Sequence, residues 1–199
     1  MKIFNFYIFL LVPFFCFAQF QINSPDGWMD YSIGKEEMLN RINVWGSNLT
    51  DAIIENSDLN LKNFTELKYY TKYDIYDPKS YRSIPSIRVY LLKNYMNKSL
   101  NELKEYYLKD WELMEKKELG HKNVNIIEAS IIKINNKEAI KFRTTFEFIN
   151  PYLEIKEKHR SRIYYFFISE NYYLQISMND TEYDKCDMTF DRVLNKIKF

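Results

Sequence analysis

The sequence predicts an α+β domain in which an antiparallel sheet carries packed helices. Two observations predict it. Strand-like segments follow one another across short turns in the second half of the chain, and amphipathic helical stretches separate the strands of the first half.

The first residues stand apart from this domain. Lys2 is followed by an almost unbroken apolar run from Ile3 to Phe17 and a small residue, Ala18. A charged start, an apolar stretch and a small-residue site make the pattern of a secretory leader, with the cut between Ala18 and Gln19. A membrane anchor is the competing reading. It needs about 20 apolar residues, a length reached here only by counting both flanks. Acylation at Cys16 is disfavoured, because a lipoprotein signal has small residues before its cysteine and this chain has Phe14 and Phe15. The expectation is therefore a leader at 1–18 and one domain over 19–199, exported to the periplasm or secreted, with no transmembrane segment after cleavage.

Lys2 is the leader's only charged residue, so the 181 residues after it carry 27 basic and 27 acidic groups. A neutral chain has no global attraction to nucleic acid. Aromatic residues make up 18% of the sequence, enough for a dense core. Only Cys186 remains after cleavage, so no intrachain disulfide is expected, and it reads as a packed helix residue.

Pro25-Asp26-Gly27 is a turn signal, and Trp28 to Ile33 alternates as a short strand. From Lys35, Met38, Ile42, Trp45, Leu49 and Ile53 recur at helical spacing, predicting a helix that ends near Asn56, with a possible break at Gly46. Leu61 to Tyr73 reads as a strand, Asp77 to Pro85 as a loop, and Ile87 to Leu91 as the next strand. Ser99-Leu100-Asn101-Glu102 is a capping box, in which serine and glutamate serve each other's backbone N–H groups. The helix that follows aligns Leu100, Leu103, Tyr107, Trp111 and Met114, and stops at Gly120. Val124 to Ile134, a tight turn at Asn135-Asn136, and the alternating strand from Ile140 to Phe148 form a hairpin. Arg162 to Ile168 and Tyr172 to Met178 form a second one. Tyr183, Cys186, Phe190, Val193 and Ile197 lie on one stripe of a closing helix over Glu182 to Lys196, capped by Asp180 or Thr181.

This order, with particular residues, resembles the PsbP-like superfamily, which includes the DcrB-like envelope proteins of bacteria. The residues that carry the resemblance are Pro25-Asp26-Gly27-Trp28, the helix capped at Ser99, and the strand–turn–strand from Ile132 to Ala139. The aromatic hairpin through Tyr164 and Tyr173, which runs into Thr189 to Ile197, completes it. The resemblance implies an αβα sandwich, with helices on both faces of the sheet, and a non-enzymatic accessory or binding role. It supplies no catalytic residues to carry over.

Motifs for chemistry are sparse. Ser32…Lys35 and Ser130…Lys133 match Ser-x-x-Lys, but the companion motifs of an acyl-serine enzyme are missing. His121 and His159, the only histidines, read as surface residues, and no paired metal-ligand spacing occurs. Asp180, Glu182, Asp184 and Asp187 lack the glycine of a calcium loop and read as complements to a helix dipole. The run Lys156 to Arg162, with Arg160 and Arg162, reads as a solvated strand entrance or, less readily, a contact for an anionic group. Tyr69, Tyr70, Tyr73, Tyr76 and Tyr81 crowd one strand and loop. They cover a sheet edge or form a recognition surface, for which Tyr69, Tyr73, Tyr76 and Tyr81 are the candidates.

The expected function is thus an exported, non-catalytic binding or accessory protein of the cell envelope with an unidentified protein or lipid partner and no cofactor or metal. A hydrolase whose site assembles only in the fold and an effector-chaperone or toxin-neutralising protein are the alternatives. Expression in a secreting bacterial host should yield a product whose N-terminal residue is Gln19. Edman sequencing or intact mass showing Met1 retained would refute the leader.

Overall fold

The computed structural model describes residues 21–32, 64–77, 83–94, 98–114, 121–149, 156–169 and 172–199. Among the described residues, seven strands form one antiparallel sheet. They are β1 (Met29–Asp30), β2 (Phe64–Thr71), β3 (Ser86–Lys93), β4 (His121–Ile134), β5 (Lys137–Ile149), β6 (Lys156–Ser169) and β7 (Tyr172–Thr181). Their spatial order is β1-β2-β3-β7-β6-β5-β4, with every neighbouring pair antiparallel. Two short helices, α1 (Leu100–Met114) and α2 (Asp187–Asn195), are the described helices. The helix expected over Lys35 to Asn56 lies outside the described residues, as does the stop at Gly120.

Local chemistry explains the element boundaries. Glu102 Oε2 accepts hydrogen bonds from the Ser99 backbone N–H at 2.9 Å and from its hydroxyl at 2.7 Å, and Glu102 N–H donates to Ser99 Oγ at 3.4 Å. The expected capping box therefore opens α1. Asn135 and Asn136 have φ of 47° and 66°, the left-handed pair that a two-residue hairpin of matching twist requires. The Asn135 amide also donates to the Ile197 carbonyl at 2.8 Å, so the β4–β5 turn is fastened to the end of α2.

The closing helix is shorter than its apolar spacing suggested. It starts at Asp187, not Glu182, because β7 runs on to Thr181 and the chain then turns through Lys185 at φ 47°. Asp180 still serves the helix start: its carboxylate accepts the Cys186 backbone N–H at 2.7 Å. β1 is also reduced to two residues, Met29 and Asp30.

The strands are long and alternate, so the sheet separates two apolar clusters. One gathers Tyr70, Ile87, Val89, Ala139, Tyr164, Phe166, Leu174, Ile176 and Met178 with Phe190, Val193 and Leu194 of α2. The other gathers Ile140, Phe142, Ile163, Tyr165 and Tyr173 with Leu103 and Trp111 of α1. Within the second, Tyr107 of α1 stacks on Tyr165 with ring centroids 4.3 Å apart, and its hydroxyl lies 2.5 Å from that of Tyr173. Cys186 is buried, and burial pushes its thiol up to about 11, which suits a packing role and not a nucleophile.

Phe166 is fully buried at the centre of the first cluster. Its replacement by alanine should destabilise the protein by about 3–5 kcal/mol in urea denaturation, the usual cost of emptying an aromatic core site. A loss below about 1 kcal/mol would show that this cluster is not the core.

Candidate functional site

β6 runs through the middle of the sheet, and its alternation directs two different sets of side chains to the two faces. Even positions Arg160, Arg162, Tyr164 and Phe166 point to the α2 side. Odd positions Glu157, His159, Ser161, Ile163 and Tyr165 point to the α1 side. The stretch expected to be a solvated strand entrance is itself strand from Lys156, and Glu157, His159 and Ser161 are 6%, 9% and 3% exposed. The reading of His159 as a surface residue is corrected for the same reason, since it faces inward among aromatic rings, while His121 is half-buried.

On the α1 side, an open cavity of about 410 Å³ lies at the end of the apolar cluster. Ser86, Ser177, Asn179, Ser161 and Ile163 line it from the sheet, Trp111 from α1, and Ser83 and Ile84 from the segment before β3. Phe146, Phe148, His121 and His159 complete the lining. The chain has two histidines, and both are here. Phe146 lies between them, 4.8 Å from the His121 ring and stacked 5.2 Å from that of His159, while Phe148 meets both edge-on. Cross-strand pairing enforces this, since Phe146 stands opposite His159, and Phe148 opposite both His121 and Glu157.

The polar atoms of this site are unusual for a sheet interior. His159 Nε2, Ser161 Oγ, Glu157 Oε1 and Thr144 Oγ1 are buried and have no hydrogen-bond partner among the described residues. Glu157 Oε2 accepts the Ser83 backbone N–H at 2.9 Å and lies 3.7 Å from His159 Nε2, too far for a hydrogen bond. Burial pushes the His159 imidazole below its ordinary range. Glu157 opposes that shift, and His121 adds to it. Among the described residues, no group of three His, Cys, Asp or Glu side chains is placed to hold a metal ion.

The residues singled out in the sequence lie elsewhere and in two groups. Arg160 pairs with Asp180 through Nε at 3.0 Å and Nη2 at 2.5 Å, and with Asp187 at 2.9 Å. Arg162 pairs with Asp187 and, at 2.6 Å, with Asp191. Burial would raise the Asp187 carboxyl, but Arg162 and Arg160 hold it below the usual carboxylate range. These pairs fasten α2 to the sheet. The tyrosines stand on and just beyond β2. Arg88 lies 4.3 Å above the Tyr69 ring, the Tyr73 hydroxyl donates to Asp184 at 2.8 Å, and Tyr76 packs on Tyr31 at 5.8 Å. Tyr73 and Tyr76 are exposed, and Tyr81 lies outside the described residues. Among the described residues, Arg160 and Arg162 are bonded to aspartates and not to Tyr69, Tyr73 or Tyr76.

No family model matches the chain, and no curated protein matches it in sequence. Several solved structures match in shape. LpqN of Mycobacterium tuberculosis, which is involved in cell envelope biogenesis, aligns with a TM-score of 0.50 at 9% identity, over 90% of this chain and 83% of its own. CyanoP, the PsbP protein of the cyanobacterium Synechocystis sp. PCC 6803, aligns with a TM-score of 0.48 at 10% identity, over 90% and 92%. A Pseudomonas aeruginosa protein of unknown function, PA94, a putative regulator, reaches 0.40 at 8% identity, over 67% and 95%. The likeness to LpqN is one of fold. Among the described residues, no helix is long and apolar enough to cross a membrane.

The downward shift at His159 has a pH consequence. Its folded form binds a proton less readily than the unfolded chain, whose histidine titrates near 6.5. Stability from this group is therefore complete above that value and is lost as pH falls through the lower folded value. Replacing His159 with asparagine should flatten the stability–pH curve below about pH 6.5 in urea titrations. An unchanged slope would show that His159 does not titrate differently in the fold.

Proposed function

We propose that this chain is an exported, non-catalytic binding or accessory protein of the cell envelope, and that the cavity on the α1 side of the sheet is where it holds a ligand. One observation carries the reading: buried polar atoms of His159 and Ser161, without a hydrogen-bond partner among the described residues, face the same cavity as Trp111, Phe146 and Phe148. Leaving such atoms unsatisfied costs stability, and native proteins rarely do so without a reason. Ligand sites combine apolar and aromatic walls with a few placed polar groups in volumes of this size.

The envelope part of the reading takes its support from the leader-like residues 1–18 and agrees with the envelope role of LpqN. A PsbP-like αβα sandwich fits the two clusters, to which α1 and α2 contribute separately, and the DcrB-like assignment is a narrower form of the same proposal. Tyr73 and Tyr76 are a separate, exposed candidate for contact with a protein or lipid.

A hydrolase is the second reading. It is favoured by Glu157, His159 and Ser161 occupying alternate positions of one strand face. Against it, neither Ser161 Oγ nor His159 Nε2 has a hydrogen-bond partner among the described residues, whereas an activated serine is expected to be bonded to its base.

The Cε1–H resonances of the two histidines report on this cavity. A panel of small cationic, neutral and anionic compounds should contain members that shift them saturably. Ser161→Phe, which fills the cavity, should abolish those shifts while the protein stays folded by circular dichroism. No responsive compound, or an identical response in the filled variant, would defeat the binding reading. Labelling by a fluorophosphonate that disappears in Ser161→Ala would establish the hydrolase instead.

A further inference from the structure

The ligand's chemistry can be read from what surrounds the cavity, provided that the binding role proposed above holds. Glu157 is a carboxylate at 6% exposure, and a buried carboxylate ordinarily comes with a cation. Here the flanking lysines do not serve. Alternation along β6 sends Lys156 and Lys158 to the opposite face, and Lys156 is paired with Glu147 at 2.5 Å. Among the described residues, the cationic side chain within 4 Å of Glu157 is His159, whose Nε2 lies 3.7 Å from Oε2. Burial also favours the neutral imidazole there, so this neighbour does not supply a full-time positive charge.

The hydrogen-bonding capacity points the same way. Glu157 Oε1 is an acceptor only, while a neutral imidazole nitrogen and a serine hydroxyl can each accept. These three atoms, all buried and unpartnered among the described residues, belong to successive inward positions of one strand. The described lining includes no lysine, arginine, aspartate or glutamate. Phe146, Phe148 and Trp111 add aromatic rings, whose faces attract cations. An anion would meet the field of Glu157 with no lysine or arginine of the described lining to offset it. A neutral alcohol would add no positive charge beside that carboxylate.

We propose that the cavity takes a small organic molecule bearing a primary ammonium group, which lies against His159 and Ser161 of β6, in the field of Glu157 behind His159, with its carbon portion among Trp111, Phe146 and Phe148. An ammonium brings three donors and one positive charge, the complement of the His159 and Ser161 acceptors beside a carboxylate that no described lysine or arginine pairs with.

The test compares isosteres on the purified full chain at pH 7.5. n-Butylammonium, n-butanol and butyrate are titrated against the Cε1–H resonances of His121 and His159. Butylammonium should saturate at least about tenfold tighter than butanol, and butyrate should produce no saturable shift. Glu157→Gln should bring butylammonium to within about twofold of butanol. If that variant fails to fold, the comparison of the three compounds on the native protein decides alone. Equal affinity for butanol and butylammonium, or tighter binding of butyrate, overturns the ammonium inference and leaves the cavity reading standing. Retention of the full preference in folded Glu157→Gln also overturns it. Silence of both histidines toward all three compounds overturns the ammonium inference; the binding reading then stands or falls on the wider panel.

Discussion

The period of two along β6 is the constraint on which the rest of this molecule depends. β6 has β7 on one side and β5 on the other, and both of its faces are covered over much of its length. Every residue from Glu157 to Phe166 is therefore assigned to a side, and a register slip of one position would exchange the two sets. Such a slip would place Arg160 and Arg162 opposite Phe146 and Thr144 in one direction, or opposite Thr144 and Phe142 in the other, and Tyr164 and Phe166 would leave the α2 cluster. The arrangement tolerates no partial version.

The α2 side shows how charge reinforces that register. Asp180 is almost fully buried at the end of β7, yet its carboxylate is satisfied by two bonds from Arg160 and one from the Cys186 backbone N–H. Asp187 then binds the second guanidinium group of the row. Truncating Asp180 would take two of the three bonds from Arg160, leaving it Asp187 alone, and leave a helix-start N–H without that acceptor. The two faces of β6 therefore differ in kind. On the α2 side the buried Asp180 has its arginine, and on the α1 side Glu157 has no lysine or arginine partner among the described residues.

Much of the fold was legible in the sequence because its signals are local. The capping box at Ser99 and Glu102, the Asn135-Asn136 turn and the alternation from Ile140 to Phe148 each depend on residues a few positions apart, and each is present. The start of α2 was misplaced because apolar spacing in Tyr183 and Cys186 imitates a helix, while the Asp180 contact that sets the true start is tertiary. The cavity was missed for a related reason. Lys156, Lys158, Arg160 and Arg162 gave the segment a solvated character that hid Glu157, His159 and Ser161 between them. Extending the two-residue period back from Ile163 and Tyr165 would have placed those three on the inward face. Nothing local places His121 near them, because that contact is made across β5 through Phe146 and Phe148.

A single row of residues across the sheet accounts for the space itself. Thr71 pairs with Ser86, Ser86 with Asn179, Asn179 with Ser161, and Ser161 with Thr144. Five strands thus contribute small or amide side chains at one level, where the neighbouring level has Tyr69, Arg88, Ser177, Ile163 and Phe142. Apolar side chains at the first level would fill the interior and stabilise the sheet through burial. Hydroxyl groups there forgo that gain and add desolvation costs wherever they lack partners, as Thr144 and Ser161 do. A sheet that only needed to fold would not favour such a row. Its position beside Trp111, Phe146 and both histidines places that loss of stability where a bound molecule would recover it.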